Sequence, residues 1–289
     1  MHDNRQADSA ANFALSDHHV ISLTGQDAVA FAQAQFMNDV NAAAAGHWQW
    51  NGWLTAKGRV VALFALLRID PETLWLLLPD ADPVSMVAAL QRFVFRSKVK
   101  LAVREDLQVS ATFAAPDVAD GARFSGSEAG AVELDMGGNG GPRRLRIGGD
   151  AAGNDDILLT RWGAFDLQHG LPRLPASQVE QWTPQQLSLQ SLHAFSVKKG
   201  CYPGQEIVAR THFLGKAKRG LALLDGTAPI TAGSEVRGDG MALGTVLCSA
   251  VVDGRFMALA VLPLDRAQQP MSIDGQLVAE RPLLGGLAR

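Results

Sequence analysis

Residues 197–220 read VKKGCYPGQEIVARTHFLGKAKRG, and this stretch separates two parts of the chain that have different patterns. Before it, apolar residues recur at both helical and strand spacings, which is typical of an α+β fold. After it, short β-prone runs are separated by Gly, Asp and Pro at about ten-residue spacing, which is typical of a small barrel or sandwich. The stretch itself combines a thiol with a carboxylate, an amide, several cations and many turn residues. We therefore expect it to join the two parts and to carry chemistry.

Composition and charge place the chain among ordinary globular proteins. Its 289 residues exceed the size at which one hydrophobic core usually stops growing. The formal net charge of −3 gives no overall attraction for nucleic acid or for an anionic membrane. No apolar run reaches the roughly 20 residues that cross a bilayer, and the polar N-terminal segment lacks an export signal. We therefore expect a soluble, cytoplasmic protein of two or three domains with no membrane contact.

The patterns before residue 197 predict a strand, a helix, a strand meander, a second helix and further strands. The first helix is predicted to continue to Gly46 with one buried face, formed by Val29, Ala32, Phe36 and Val40. The second helix begins at Pro83, and its buried stripe is predicted at Val84, Val87, Leu90 and Phe93. A glycine-rich passage over residues 121–153 predicts exposed hairpins and turns. A third helix is predicted to end at Gly170, in the position of a C-cap glycine.

Together these patterns predict antiparallel sheets with helices on one face, followed by a small C-terminal β-barrel. Residues 1–114 are predicted to form an N-terminal α+β domain. Residues 115–215 are predicted to form a middle α+β domain that contains the KGCYPGQE segment. Residues 216–289 are predicted to form the C-terminal β-barrel.

The signature segment, residues 199–206 (KGCYPGQE), contains residue types that each suit a binding loop. Gly200 and Gly204 allow backbone conformations that are closed to other residues and let a ligand approach the main chain, and Pro203 stiffens the turn between them. Gln205 and Glu206 offer an amide and a carboxylate, which could read the donors and acceptors of a planar heterocycle. The segment could equally be an ordinary turn.

The two cysteines of the chain have different surroundings. Lys198 and Lys199 precede Cys201, and neighbouring cations lower a thiol pKa by favouring the thiolate. Cys201 is therefore a candidate reactive thiol, and the alternative is a small buried side chain beside solvated lysines. Cys248 has only apolar and small neighbours in TVLCSAVV, which predicts a core position. Two such cysteines exclude a disulfide scaffold and a self-contained four-ligand metal site, so no metal is expected.

Six cations and a single acid, Glu206, lie between Lys198 and Arg219. This cationic stretch contains Lys198, Lys199, Arg210, Lys216, Lys218 and Arg219. It could be a solvated face, or a docking surface for a polyglutamate or phosphate tail or for RNA. Tyr202 and Phe213 are its only aromatic residues, which argues against extensive base stacking.

The signature segment, continued by IVAR, resembles the K-G-C-Y-x-G-Q-E signature of the YgfZ family, folate-binding proteins related to the glycine-cleavage T-protein. Other segments are similar in the same order, namely ISLTGQDAVAFAQAQFMNDV, AKGRVVALF, FVFRSKVKL and LGKAKRGL. The resemblance covers nearly the whole chain. It implies a T-protein-like fold around a central folate pocket. It also implies a role in maintaining iron–sulfur enzymes, including those that thiolate tRNA.

The resemblance also implies site residues. It makes Cys201 and Lys199 the candidate catalytic pair and tetrahydrofolate, or a one-carbon derivative, the ligand. The candidate folate-binding residues are Gln168, Tyr202, Gln205, Glu206 and Arg210. In relatives a glutamate that holds the pterin often occupies the position of Gln168. An amide cannot form the charge-assisted pair of a carboxylate, so Asp166 or Glu206 would have to substitute.

Several functions remain open at this point. The favoured one is a folate-binding accessory protein that supports iron–sulfur cluster assembly or repair, and thereby tRNA modification, through the Cys201 thiol. Its partners would be folate, iron–sulfur proteins and, indirectly, tRNA. The alternative is a folate-dependent aminomethyl or one-carbon transferase with Asp80 or Asp82 as its catalytic aspartate, and these two residues could equally be loop residues that start a helix. A module that binds RNA through the cationic stretch and a cysteine hydrolase using His212 are more distant alternatives.

Overall fold

The computed structural model describes residues 11–215, 217–252 and 254–289. These residues form two five-stranded antiparallel sheets, a closed six-stranded barrel and four α-helices. Residues 1–10 of the predicted N-terminal domain and Lys216 of the cationic stretch lie outside the described residues. The predicted α+β architecture with a C-terminal barrel is confirmed, whereas the domain boundaries at 114 and 215 stay predictions.

The first sheet has the strand order β3-β4-β5-β2-β6. Its strands are β2 (His19–Thr24), β3 (His47–Leu54), β4 (Val60–Arg68), β5 (Thr73–Leu78) and β6 (Lys100–Val103). The predicted meander is thus confirmed as β3, β4 and β5, which pair in chain order. Every residue of β5, TLWLLL, is buried because both faces of the sheet are covered. One face packs on helices α1 (Ala28–Gln35) and α2 (Pro83–Gln91), and the other faces the main core.

The predicted extent of the first helix is wrong. Helix α1 ends at Gln35, and Phe36 is already extended, with φ −102° and ψ 156°. The Gln33 side chain competes with the helical bonds, since its Oε1 accepts from Val40 N at 2.8 Å and its Nε2 donates to Asp39 at 3.0 Å. Phe36 and Val40 are buried as predicted, but they reach the core from an irregular segment.

The predicted buried stripe of α2 is also wrong in part. Pro83, Met86 and Leu90 are its buried residues. Val84 is 62% exposed and Phe93, which follows the helix, is 48% exposed. The pattern was ambiguous because this helix is apolar on more than one side, so spacing alone does not select the face.

The second sheet has the order β1-β7-β10-β9-β8. Its strands are β1 (Phe13–Ala14), β7 (Val109–Thr112), β8 (Ser125–Gly126), β9 (Val132–Asp135) and β10 (Arg144–Ile147). Helix α3 (Asp156–Gln168) begins after its cap Asp155, whose side chain accepts from Leu158 N. It ends before Gly170, which has φ +69°, as predicted for a C-cap glycine.

The glycines of the β9–β10 turn have a packing reason. A Cβ on Gly138 or Gly140 would lie 2.8 or 2.6 Å from the His169 ring. The ring stacks on Phe165 with centroids 4.0 Å apart, its Nδ1 lies 2.7 Å from Phe165 O, and its Nε2 accepts from Gly140 N at 3.0 Å. The turn predicted from GGNGG is therefore confirmed, and it seats the end of α3.

The barrel has the closed order β11-β14-β13-β12-β15-β16. Its strands are β11 (Arg219–Gly226), β12 (Glu235–Gly238), β13 (Met241–Val252), β14 (Arg255–Pro263), β15 (Met271–Ile273) and β16 (Gln276–Arg281). Residues such as Leu224, Val246 and Leu262 fill its interior. Alternate residues, among them Leu223 and Leu247, join the main core with Trp162 of α3.

The chain after β16 returns to the other parts of the fold. Leu284 N donates to Gln168 O at 2.8 Å, and Trp50 Nε1 donates to Leu287 O at 2.7 Å. The Arg289 guanidinium donates to the carbonyls of Asp135 and Gly137. This tail therefore fastens the barrel to both sheets.

Candidate functional site

The signature segment leads into helix α4 (Gln205–Phe213). The turn residues of the sequence indicate an irregular passage here and give no signal for this helix. Tyr202 is buried and its hydroxyl donates to Ser196 O at 3.1 Å, while Gln205 Nε2 donates to Lys199 O at 3.0 Å. Burial raises the pKa of Tyr202 to about 12. These polar groups thus hold the segment in shape.

The Lys199 ammonium lies under the end of α1. Its Nζ donates to Gln33 O, Phe36 O and Asn38 O at 2.6, 2.5 and 3.0 Å. Burial lowers its pKa to about 8, and it lies 5.0 Å from the centroid of the Tyr202 ring. An ammonium has three donors, and all three are used on main-chain carbonyls rather than on the Cys201 thiol. Lys199 therefore anchors the segment to the end of α1 and to the residues that follow it, and its predicted catalytic role stays a prediction.

The two cysteines differ as predicted. Cys201 is exposed, and Cys248 lies buried in β13. Burial raises the pKa of Cys248 to about 12, so its thiol is inert. The alternative of a buried Cys201 is wrong, and Cys201 is the accessible thiol of the described chain.

A cavity of about 820 Å³ lies between the first sheet, α2, residues 174–180 and the signature segment. Pro203 lines it and is the one member of the segment that does so. Its apolar walls are formed by Trp53, Leu63, Met86, Phe93, Leu174 and Val179. A cavity of this size and character is typical of a small-molecule site with a few polar groups that orient the ligand.

Two polar groups of the cavity wall have no partner within the described residues. Trp53 Nε1 is buried and unpaired. The exposed Glu180 carboxylate makes no hydrogen bond or ion pair there either. Glu180 has a left-handed backbone, with φ 62°, and its N–H donates to Val60 O at 2.9 Å. Both were missed by the sequence reasoning, since a single glutamate in a loop and one tryptophan among six give no signal.

Asp80 is one of the two candidate catalytic aspartates for one-carbon transfer. Both oxygens of its carboxylate accept hydrogen bonds from other groups of the protein. Arg173 Nε donates to Asp80 Oδ1 at 2.6 Å, and Leu174 N donates to its Oδ2 at 3.0 Å. Arg173 also contacts Asp17 at 2.6 Å and Asp166 at 3.3 Å. Burial alone would lower the pKa of the Arg173 guanidinium. The three carboxylates outweigh this effect and raise the pKa above its usual value. Asp80 thus lines the cavity, but its carboxylate is used in an ion-pair network.

Asp82 and Asp166 also have structural partners. Asp82 lines the cavity but caps α2, with Ser85 N donating to its Oδ2 at 2.9 Å. Asp166 is buried and accepts from Arg143 NH1 at 2.8 Å. The Arg143 guanidinium lies 3.8 Å from the Phe165 ring centroid. The prediction that Asp166 could replace the pterin carboxylate does not fit these ion pairs.

The other predicted folate ligands lie away from the cavity wall. Gln168 lines two clefts of about 410 and 300 Å³ beside the barrel, and its Nε2 is 3.6 Å from Met257 Sδ. Neither cleft includes a residue of the signature segment, so the structure does not bring Gln168 and that segment together in one described cavity. Glu206 and Arg210 are exposed on α4. Their roles in folate binding stay predictions.

Within residues 11–215, 217–252 and 254–289, no group of three or more His, Cys, Asp or Glu side chains is placed to hold a metal ion. None of the helices in this part of the chain has the length and apolar character required to cross a bilayer.

The chain has the fold of aminomethyltransferase T of the glycine cleavage system, matching the Bartonella henselae structure with a TM-score of 0.76. The match covers 95% of this chain and 86% of the other at 14% sequence identity. No family model matches.

Sequence relatives define the family. The chain is 30% identical over 272 residues to a tRNA-modifying protein YgfZ of Vibrio vulnificus, covering 87% of this chain and 83% of the relative. A tRNA-modifying protein YgfZ of Photobacterium profundum is 27% identical over 292 residues, covering 88% and 84%. The chain belongs to the YgfZ family, which confirms the resemblance seen in the signature segment.

Proposed function

We propose that this protein is a folate-binding accessory protein that supports tRNA modification in the cytoplasm. The observation that carries the proposal is the 820 Å³ cavity, which holds the unpaired Trp53 Nε1 and the unpaired Glu180 carboxylate among apolar walls. A pterin is a flat ring with both acceptors and N–H donors on its edge. A buried indole donor and a carboxylate acceptor are complementary to such an edge.

The residues present therefore fit a reduced folate. Trp53 Nε1 would donate to the ring, Glu180 would accept from its amino and ring N–H groups, and Met86 and Leu174 would contact its faces. Tetrahydrofolate, when bound, would carry a one-carbon unit. Glu180 would supply, in this cavity, the carboxylate that the chain lacks at Gln168.

We further propose that the exposed Cys201 thiol supports iron–sulfur cluster assembly or repair. This proposal is supported by the difference between the two cysteines, because the Cys201 thiol is accessible and the Cys248 thiol is buried with a raised pKa. The segment is held rigidly by Lys199 and Tyr202, so the thiol would be presented at a fixed place beside the cavity. Aminomethyl transfer is not favoured, because Asp80 and Asp82 both have structural partners.

Titration with tetrahydrofolate under anaerobic conditions tests the folate proposal. We expect saturable quenching of tryptophan fluorescence, because Trp53 lines the cavity, and a matching heat signal in calorimetry. A Trp53→Phe variant should bind more weakly and lose most of the quenching. Absence of saturable binding to the wild-type protein by both methods would reject the proposal.

A complementation experiment tests the thiol. In cells that lack the protein, Cys201→Ala should fail to restore iron–sulfur enzyme activity and tRNA thiolation, while Cys248→Ala should restore both. Circular dichroism and thermal unfolding would establish that each variant folds. Full restoration by Cys201→Ala would show that the thiol is dispensable.

A further inference from the structure

The segment that follows α2 has a pattern that the proposed function does not use. Residues 92–100, RFVFRSKVK, form the basic aromatic segment, which connects α2 to β6. Phe95 is 85% exposed and Phe93 is 48% exposed. Two solvent-exposed phenylalanines separated by a single residue are unusual on a protein surface and indicate a binding surface.

Both rings are held by neighbours. The Arg96 guanidinium lies 5.3 Å from the centroid of the Phe95 ring. Phe93 meets Trp53 edge to face, with centroids 6.3 Å apart. Because Trp53 and Phe93 both line the 820 Å³ cavity, the basic aromatic segment begins at the rim of the proposed folate site.

The charges of the segment are positive and accessible. Its exposed cations are Arg92, Arg96, Lys98 and Lys100. None of them forms an ion pair with a carboxylate of the described residues. The Asp27 side chain accepts from the main-chain N of Lys98 at 2.6 Å, and the Lys98 ammonium lies 3.4 Å from the Gln26 side-chain oxygen. The segment therefore offers four cations that are free to meet an anionic partner.

We propose that the basic aromatic segment docks an unpaired stretch of RNA, with a base stacked on Phe95 and phosphates beside Arg92, Arg96 and Lys98. Exposed rings that are flanked by cations suit a nucleic-acid strand, in which bases lie close to phosphates. A membrane-binding segment would instead present a continuous apolar face. The proposal rests on the part of the proposed function that concerns tRNA modification, and it assigns direct RNA contact to this chain.

The cationic stretch from Lys198 to Arg219 is a weaker candidate for the same partner. Tyr202, one of its two aromatic residues, is buried, and Lys199 is buried beneath α1. Phe213 is the exposed ring that remains there, at 66%. This ring provides a matched control, because it is also an accessible phenylalanine near cations.

Fluorescence anisotropy with labelled tRNA and with a short single-stranded RNA tests the assignment. We expect wild-type binding that weakens steeply as salt is raised. Phe95→Ala should weaken it about 5-fold or more, since stacking on one ring contributes substantially per base. Arg96→Gln should weaken it and reduce the salt dependence, whereas Phe213→Ala should leave it unchanged. Duplex RNA of equal length should bind less well because its bases are stacked.

Three outcomes would overturn the proposal. The first is equal affinity of the wild-type protein and Phe95→Ala, and the second is an equal loss in Phe95→Ala and Phe213→Ala. The third is binding to anionic phosphatidylglycerol vesicles without binding to RNA. Tetrahydrofolate titration of Phe95→Ala separates this proposal from the folate proposal. Because Phe95 does not line the cavity, its loss should leave folate affinity unchanged.

Discussion

A Cβ atom on Gly204 would lie 2.6 Å from the Cα of Gly58, so the signature segment and the β3–β4 hairpin touch through two glycines. Gly204 has φ +79° and is the residue before α4, and Gly58 has φ +69°. A Cβ on Gly58 would in turn lie 2.8 Å from Ile207 Cβ. The contact fixes the start of α4 on the strand pair that lines the cavity.

The Gly204→Ala variant should therefore be strongly destabilised. It combines a left-handed backbone with a main-chain clash, and we expect a loss of roughly 2 to 5 kcal/mol in the free energy of unfolding. Chemical denaturation followed by circular dichroism measures it. Gly200→Ala is the matched control, because a Cβ there has no atom within 4 Å, and it should be nearly neutral. Equal stability of the two variants would contradict the contact.

Lys199→Met should lose stability without changing the thiol. Three carbonyls at the end of α1 would lose a charged donor, which should cost about 2 to 4 kcal/mol. Lys198→Met, at the exposed neighbour, should stay within about 0.5 kcal/mol of wild type. The rate of Cys201 alkylation at a fixed pH should be the same in both variants. A slower rate in Lys199→Met alone would instead support the activation predicted from the sequence.

The sequence predicts the strands and the barrel well, because alternation and turn residues are local signals. Lys199 is predicted to act on Cys201 because the two residues are close in sequence, and a sequence does not show which residues are close in space. The chain instead folds the lysine under the end of α1, more than 160 residues away. Glu180 is the converse case. Its loop has no pattern, and only the packing of residues 174–180 against β4 brings its carboxylate to the cavity.

One thiol should react quickly in the native protein. Iodoacetamide at pH 8 should label Cys201, while Cys248 stays unlabelled because burial raises its pKa to about 12. Mass spectrometry of peptides gives the site, and unfolding in guanidinium should expose the second thiol. Cys201→Ser should abolish native labelling. Fast labelling of Cys248 in the folded protein would show that β13 is less well buried than described.

Arg173→Met should destabilise the protein because it removes the cation that pairs with Asp80 and one of the two cations, Arg143 and Arg173, that pair with Asp166. Breaking a buried ion pair on one side costs about 3 to 5 kcal/mol in the free energy of unfolding. Arg237→Met is the control, because it breaks an exposed ion pair with Glu235 and should cost no more than about 1 kcal/mol. Burial alone would raise the pKa of the Asp17 carboxyl. Contacts with His18 and Arg173 outweigh this effect and lower the pKa below its usual value.

The sign of the pH dependence follows from this lowered pKa. The contribution of Asp17 is present above the ordinary carboxyl pKa of 3.8 and is lost as the pH falls through the lower value of the folded state. The stability difference between wild type and Arg173→Met should therefore narrow below about pH 4. Urea denaturation of both proteins across this pH range measures the difference in the free energy of unfolding. A difference that stays constant or grows in acid would show that carboxylate pairing is not its source.

Glu180→Gln should weaken the binding of tetrahydrofolate. The carboxylate would accept two charge-assisted hydrogen bonds from a pterin edge, and an amide can accept only one, so we expect a Kd about 10-fold higher. Glu206→Gln is the matched control, because Glu206 is also an exposed glutamate but lies outside the cavity wall. Calorimetry on both variants shows whether folate binds in the cavity that Glu180 lines or beside Glu206 of the signature segment. A loss in Glu206→Gln with none in Glu180→Gln would move the pterin to the surface of α4.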